Sequence, residues 1–371
     1  MLPNPFQKSL PEFKDTDPLK NREIVRSLLG EHGVHRYRKI LSGNTDSSNK
    51  REKNVSQEDL KALAADARSK IDTLSRDSFK QIFEKLIEKG YKSQIKSLQE
   101  INFLETKDGK IGHVDILGVF RELPTEEAIK NHFLSLPNIR QKIAQGFTRL
   151  LIVPFGSSIE NLLCKTGELI LKHSAVEKLL SEDGIVLSAD MEEPAYMFDD
   201  YHEREDSSEI VYYPTSFDLN NEGGKTKTEL LSKVSKYSPF PGYHVLLISE
   251  DTQLSRLHEG KEQAGRSQLE SNMSSIEYLG LLNSDPAYAG EFGLTPEDWL
   301  TLFSTKLNQT NRVIGDYESD QDCMSFLIGS TFLAGNGVPL VVWDRTRGRV
   351  NLTTHSPSCA DLEISAHVAI G

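Results

Sequence analysis

Apolar side chains recur at three- and four-residue intervals in the N-terminal third of the chain, which is the spacing of amphipathic helices. A capping signal at residues 56–59 precedes one such stretch and indicates where that helix begins. A second stretch begins at Phe79, and we expect this helix to end at Gly90 because glycine commonly terminates helices. A third helix is predicted over residues 93–100. The pattern therefore predicts a small helical layer.

A β-hairpin is predicted to follow this layer. Asp108 and Gly109 separate two apolar stretches, residues 101–104 and residues 111–120. An Asp-Gly pair favours a two-residue turn, because both positions of that turn need a positive φ angle.

From residue 125 onward, helical and strand patterns alternate. Amphipathic helices are predicted to begin at Ser157 and Thr226. Strands are predicted at residues 148–154, 209–213, 243–248, 326–332, 338–343, 350–353 and 362–370.

The strongest local signal is the start of a helix at Thr295. Threonine is a good N-cap, and Pro296 suits the first helical position because no backbone N–H is needed there. Glu297 and Asp298 then face the positive end of the helix dipole.

Together these elements predict an α+β or mixed α/β fold, with an N-terminal helical layer and a hairpin, followed by a larger mixed-sheet domain with flanking helices. We divide the chain into three regions. They are an extended arm with a short helix and a polar linker (1–55), a helical region with a β-hairpin (56–147) and an acidic mixed α/β domain (148–371). The linker is the run 42–54, which contains no apolar residue with which to pack.

Charge is unevenly distributed along the chain. Residues 1–150 carry 27 Lys and Arg against 21 Asp and Glu, whereas residues 151–371 carry 16 against 34. The net charges of the two parts are therefore +6 and −18. Because the larger, acidic part would repel a polyanion, duplex DNA is not an expected partner.

The cysteine content favours a reducing compartment. Cys164, Cys323 and Cys359 are an odd number at wide spacing, which suits neither a disulfide framework nor a zinc ribbon. No apolar run approaches the length of a membrane span. We therefore expect a soluble, cytoplasmic protein without a membrane partner.

Three C-terminal stretches carry a resemblance. Residues 243–251, 293–300 and 341–344 resemble a set of uncharacterised bacterial hypothetical proteins, over roughly the last 150 residues. The resemblance rests on helix-start and strand patterns and implies no activity.

One candidate site is the short loop Gly223, Gly224, Lys225 and Thr226, termed the 223–226 loop. A phosphate-binding loop needs glycines so that backbone N–H groups converge on phosphate, a lysine to reach its oxygens, and a hydroxyl to hold magnesium. The first glycine of that pattern is absent, because Leu219 occupies its place.

The alternative interpretation of the 223–226 loop is a glycine turn before the helix cap at residues 226–229. If the loop does bind phosphate, Asp251 or Asp344 could hold the metal, since each follows a predicted strand.

A second candidate site is an acidic segment with one histidine. Asp199, Asp200, His202 and Glu203 are residue types that suit a divalent cation. Their spacing matches no metal-binding loop, and a solvated loop is the alternative interpretation.

A third candidate site is the end of the strand at residues 338–343. Open α/β sheets place ligands at strand ends, so Trp343, Asp344 and Arg345 are candidates to line a pocket. Large aromatic residues are otherwise core residues.

No complete catalytic motif is present, so no reaction or cofactor follows from the sequence. We expect a binding or interaction module with an unidentified protein or small-molecule partner. The alternative is a nucleotide- or phosphate-binding enzyme that uses the 223–226 loop.

Overall fold

A computed structural model of the chain describes residues 75–198, 210–217, 223–232, 239–318, 323–333 and 337–371. The predicted helix after residue 56 and the predicted linker at 42–54 lie outside these residues. All described residues belong to the unit Val55–Gly371.

The described residues contain both helices and strands. The helices are α1 (Arg76–Glu100), α2 (Glu126–Ser135), α3 (Ile139–Ala144), α4 (Ile159–Val176), α5 (Lys227–Ser232), α6 (Ser275–Ser284) and α7 (Pro296–Thr310), with a 3₁₀ turn at Pro286–Tyr288. The longer strands are β2 (Lys110–Val114), β4 (Phe147–Val153), β9 (His244–Ser249), β16 (Val338–Asp344) and β17 (Arg349–His355). The strands of two or three residues are β1 (Glu105–Lys107), β3 (Phe120–Glu122), β5 (Leu179–Leu180), β6 (Val186–Leu187), β7 (Ala195–Met197), β8 (Ile210–Tyr212), β10 (Glu262–Gln263), β11 (Arg266–Ser267), β12 (Glu291–Gly293), β13 (Asp316–Tyr317), β14 (Met324–Phe326), β15 (Ser330–Phe332), β18 (Ile364–Ala366) and β19 (Val368–Ile370).

Helix α1 is continuous, so the expectation that it ends at Gly90 is wrong. The helix begins after Ser75, whose side chain accepts a hydrogen bond from the backbone N–H of Ser78. A Cβ atom at Gly90 would lie only 2.9 Å from the Cβ of Leu150 in β4. The glycine therefore allows the helix to approach the sheet closely, and it does not end the helix.

The predicted hairpin is present, but its first strand is Glu105–Lys107 and not residues 101–104, which form a turn. Strands β1 and β2 pair antiparallel, with Lys107 opposite Lys110. Asp108 and Gly109 have φ angles of 51° and 77°, as a two-residue hairpin turn requires. Strand β3 then pairs with β2 and completes a three-stranded sheet.

A four-stranded antiparallel sheet with the order β12-β19-β9-β4 holds the candidate site described below. Strand β4 is an edge strand of this sheet, and helices α1 and α7 both contact it. Its pairing with β9 is interrupted by a β-bulge between Phe147 and Arg149.

Two strands that the sequence predicts as continuous are each divided between sheets. Strands β14 and β15 are separated by a turn at Gly329, where a Cβ atom would lie 2.3 Å from the carbonyl oxygen of Gly293. Strand β14 joins the mixed sheet β18-β14-β16-β17-β7, whereas β15 pairs with β8. Strands β18 and β19 are divided in the same way at His367.

One hydrophobic core includes side chains from both sides of the predicted boundary at residue 148, such as Phe83 of α1 and Leu300 of α7. Helices and mixed or antiparallel sheets together confirm the predicted α+β class. Within the described residues, no helix is both long enough and apolar enough to cross a membrane.

Candidate functional site

The 223–226 loop lies between β8 and α5, and its backbone is engaged by the protein itself. The N–H of Lys225 donates to the carbonyl oxygen of Tyr212 at 3.0 Å, and the Lys225 carbonyl accepts from the Tyr212 N–H at 2.8 Å. The N–H of Thr226 donates to Glu229 Oε2 at 2.9 Å. Two amides that a phosphate would need are thus already paired.

The predicted helix cap is present at the same place. The Glu229 N–H donates to Thr226 Oγ1 at 3.2 Å, which completes the reciprocal pair of a capping box. Gly224 packs so closely on β8 that a Cβ atom there would lie 3.0 Å from the Tyr212 carbonyl oxygen. This close packing is enough to explain why residue 224 is a glycine, and no bound ligand is needed to explain it.

The acidic residues proposed as metal ligands for this loop have other partners. Asp251 pairs with Lys261, and Asp344 pairs with Arg347. Among the described residues, no hydrogen bond or ion pair joins either of them to the 223–226 loop. The structure therefore does not bring these groups together.

The residue after the loop, Lys227, is buried in an ion pair. Its Nζ atom donates to Glu297 Oε1 at 2.9 Å and to the Ser157 carbonyl oxygen at 2.6 Å. The Tyr212 hydroxyl donates to the same Glu297 oxygen at 2.7 Å, while Glu297 Oε2 has no hydrogen bond. Burial would raise the pKa of Glu297, but Lys227 and Tyr212 hold it below its usual value.

A second buried pair lies beside the first. His244 Nδ1 is 2.8 Å from Asp298 Oδ1, and the other oxygen of Asp298 accepts the N–H of Thr295 at 2.9 Å. The Tyr213 hydroxyl is 3.0 Å from His244 Nε2. A carboxylate that orients an imidazole is a known catalytic device, but here Phe155 stacks on the His244 ring with a centroid separation of 3.8 Å. The imidazole is held within the core.

These two pairs explain the N-terminus of α7. Thr295 is the N-cap and Pro296 occupies the first turn, so the predicted helix start is confirmed, and Asp298 in addition completes a capping box with Thr295. The partners of the two acids were not predictable from the sequence, because Lys227 and His244 are distant in the chain and have no local signal.

The proposed pocket residues at the end of β16 have structural contacts. Trp343 is fully buried and stacks on Phe303, with an angle of 16° between the rings. Asp344 accepts the Arg347 N–H at 2.9 Å, and Arg345 Nε donates to Asp316 at 2.9 Å. Trp343 is thus a core residue, and the two charged residues belong to ion pairs, of which Arg345–Asp316 is largely buried.

The predicted acidic metal site, with Asp199, Asp200, His202 and Glu203, lies outside the described residues. Over the part of the chain that is described, no group of three or more His, Cys, Asp and Glu side chains could hold a metal ion.

Arg149 differs from every other buried cation that the structure describes. Five Lys and Arg residues are buried, and four of them form ion pairs, namely Lys142 and Arg266 with Glu291, Lys227 with Glu297, and Lys306 with Glu182. Arg149 is only 9% exposed and forms no ion pair. Its hydrogen bond, from Nη2 to Gln309 Oε1, is long at 3.4 Å. Burial lowers the pKa of Arg149, while Glu250 and Glu182 act in the opposite direction.

Arg149 lines a small cleft between α1, β4 and the last turn of α7. The cleft measures about 30 Å³. Its polar lining consists of Ser93, Gln94, Thr148, Arg149, Glu250 and Gln309. Glu250 has neither a hydrogen bond nor an ion pair among the described residues. The cleft therefore contains a buried unpaired cation and an unpaired carboxylate that do not pair with each other.

The β-bulge in β4 accounts for the position of Arg149. A bulge inserts an extra residue and changes the direction in which the following side chain points. Here the extra residue is Thr148, directly before Arg149. This site was not predicted from the sequence, although an arginine within an otherwise apolar strand is a usable signal.

Comparison of the chain with protein-family models, with curated proteins and with solved structures found no match. The geometry of the chain is therefore the basis for the functional proposal.

Proposed function

We propose that this protein is a binding module whose ligand carries an anionic group, and that the Arg149 cleft receives this group. The observation that carries the proposal is that Arg149 has no ion pair, whereas the other four buried cations of the described residues each have one. The ligand can be a small molecule or part of a partner protein.

The N–H groups of Arg149 that have no protein acceptor still reach solvent, because no nitrogen of this side chain is both buried and without a hydrogen bond. A guanidinium has five N–H donors, and Arg149 uses one of them in a long hydrogen bond. An anion that enters the cleft would replace water at the remaining donors. Arginine in such a position favours recognition of carboxylate or phosphate groups.

Thermal denaturation in a panel of anions tests this proposal. Sodium acetate, sodium nitrate and sodium phosphate would replace sodium chloride at constant ionic strength. At ten times its dissociation constant, a bound anion should raise the melting temperature by about 2–4 °C. The Arg149→Gln variant should lose this rise.

Arg347→Gln is the matched control, because it removes an arginine whose side chain is 61% exposed and lies outside the cleft. This variant should keep the rise. An equal rise in wild type and Arg149→Gln, or no rise with any anion of the panel, would contradict the proposal.

The same assay separates the module from a nucleotide-binding enzyme that uses the 223–226 loop. If the loop is a helix cap, Mg²⁺ with ATP or GTP should have the same effect on wild type and on Lys225→Ala. A Mg²⁺-dependent nucleotide stabilisation that disappears in Lys225→Ala would support the enzyme instead.

A further inference from the structure

The Arg149 guanidinium retains a forked pair of donors. Carboxylates bind arginine through two parallel N–H···O bonds along one of the two edges of the guanidinium plane. The hydrogen bond to Gln309 uses one N–H of Nη2. Whichever of the two Nη2 hydrogens is used, one complete edge stays available for a planar, two-oxygen group.

The volume of the cleft limits what can enter. At about 30 Å³ it has room for about two water molecules. Only the charged end of a ligand can therefore enter, and the remainder of the ligand would stay outside the cleft.

Glu250 limits the charge of the ligand. It lines the same cleft and has no partner of its own among the described residues. Its negative charge partly offsets the positive charge of Arg149. It also repels a negatively charged ligand in the cleft, since like charges close together repel. A phosphate, which carries more negative charge than a carboxylate at neutral pH, is repelled more strongly.

We infer that the Arg149 cleft selects a monoanionic carboxylate over a phosphate, and this inference rests on the proposed function. The fork of Arg149 binds the two carboxylate oxygens, and the charge of Glu250 disfavours a ligand with a second negative charge. The carboxylate can belong to a free small acid or to the terminus of a peptide.

Acetate, acetamide and phosphate, titrated into wild-type protein at constant ionic strength, test the selectivity without a variant. Acetamide has nearly the shape of acetate without its charge. We expect acetate to raise the melting temperature, acetamide to leave it unchanged, and phosphate to bind at least about tenfold more weakly than acetate. N-acetylglycine and N-acetylglycinamide form a second matched pair that stands for a peptide terminus. Stabilisation by the acid alone, with tighter binding than acetate, would assign the ligand to peptide ends, and binding equal to that of acetate would assign it to free small acids.

Two variants separate the inference from the proposed function. In Glu250→Gln the preference for acetate over phosphate should shrink. In Arg149→Gln both the stabilisation by acetate and the preference over phosphate should disappear. Phosphate binding that equals acetate binding and depends on Arg149 would overturn the inference and leave the proposed function intact. An unchanged preference in Glu250→Gln would overturn the role of Glu250, and no effect of any anion on wild type would overturn both proposals.

Discussion

The two ends of helix α7 differ in whether the buried charges beside them are paired. At its N-terminus, Glu297 is paired with Lys227, and Asp298 is paired with His244. At its C-terminal end, Gln309 is the hydrogen-bond partner of Arg149, a buried cation without an ion pair. A charge that is paired within the core holds chain segments together, whereas a charge that is left unpaired beside a cleft is available to a ligand.

The buried charges elsewhere support this distinction. Glu291 accepts Lys142 Nζ at 2.7 Å and binds Arg266 through two hydrogen bonds of 2.7 and 2.8 Å. This cluster links α3, β11 and β12, so its cations are structural like Lys227. Arg149 is the exception among the buried cations described.

The largest expected effect comes from breaking the Lys227–Glu297 pair. Lys227→Met would leave Glu297 buried without its cation, and we expect the free energy of unfolding to fall by about 3–5 kcal/mol. Chemical denaturation measures this change.

The double variant Lys227→Met with Glu297→Gln is the control. It removes both charges, so it should be less destabilised than Lys227→Met alone. A Lys227→Met midpoint equal to that of wild type would contradict the structural role of this pair.

His113 provides the pH dependence. Burial lowers its pKa from 6.5 to about 3, so the folded protein holds it neutral while the unfolded chain takes up a proton first. The contribution of His113 to the free energy of unfolding is therefore fully present above about pH 6.5. It falls by about 1.4 kcal/mol per pH unit as the pH is lowered towards 3.

Denaturation of wild type and His113→Phe between pH 7 and pH 4 tests this prediction. The free energy of unfolding of the variant should fall less on acidification than that of wild type. His258→Asn is the control, because His258 is exposed and asparagine tolerates its φ angle of 67°. An identical acid dependence in wild type and His113→Phe would show that His113 is not the group responsible.

A smaller loss is expected at the N-cap of α7. Thr295→Ala removes the hydroxyl that accepts the Asp298 N–H, and it should cost about 1–2 kcal/mol. Thr295→Ser keeps the hydroxyl and should cost less. If the two variants are equally stable, the hydroxyl does not act as a cap.

The smallest effect on stability is expected at Arg149. Arg149→Met removes an unpaired buried charge and keeps an apolar side chain, so in buffer without a binding anion the free energy of unfolding should change by less than about 1 kcal/mol. Urea denaturation of Arg149→Met and of Lys227→Met under the same conditions compares how much each buried cation contributes to the free energy of unfolding. A loss in Arg149→Met as large as that in Lys227→Met would remove the distinction between them.

Local features were predictable from the sequence, and features that depend on distant contacts were not. The Asp108–Gly109 turn and the Thr295 cap were found because neighbouring residues determine them. The continuity of α1 through Gly90 was missed, because the reason lies in its contact with Leu150. Likewise, no local pattern shows that Lys227 pairs with Glu297 or that a bulge positions Arg149.

The most direct test of the central claim is the ¹H–¹⁵N spectrum of the arginine Nε–H groups during an acetate titration. The Arg149 resonance is identified by its absence from the spectrum of Arg149→Lys. We predict that this resonance shifts saturably with acetate and stays unchanged with acetamide, while the resonance of the paired Arg266 does not move. An Arg149 resonance that stays fixed while acetate shifts other arginines would contradict the account.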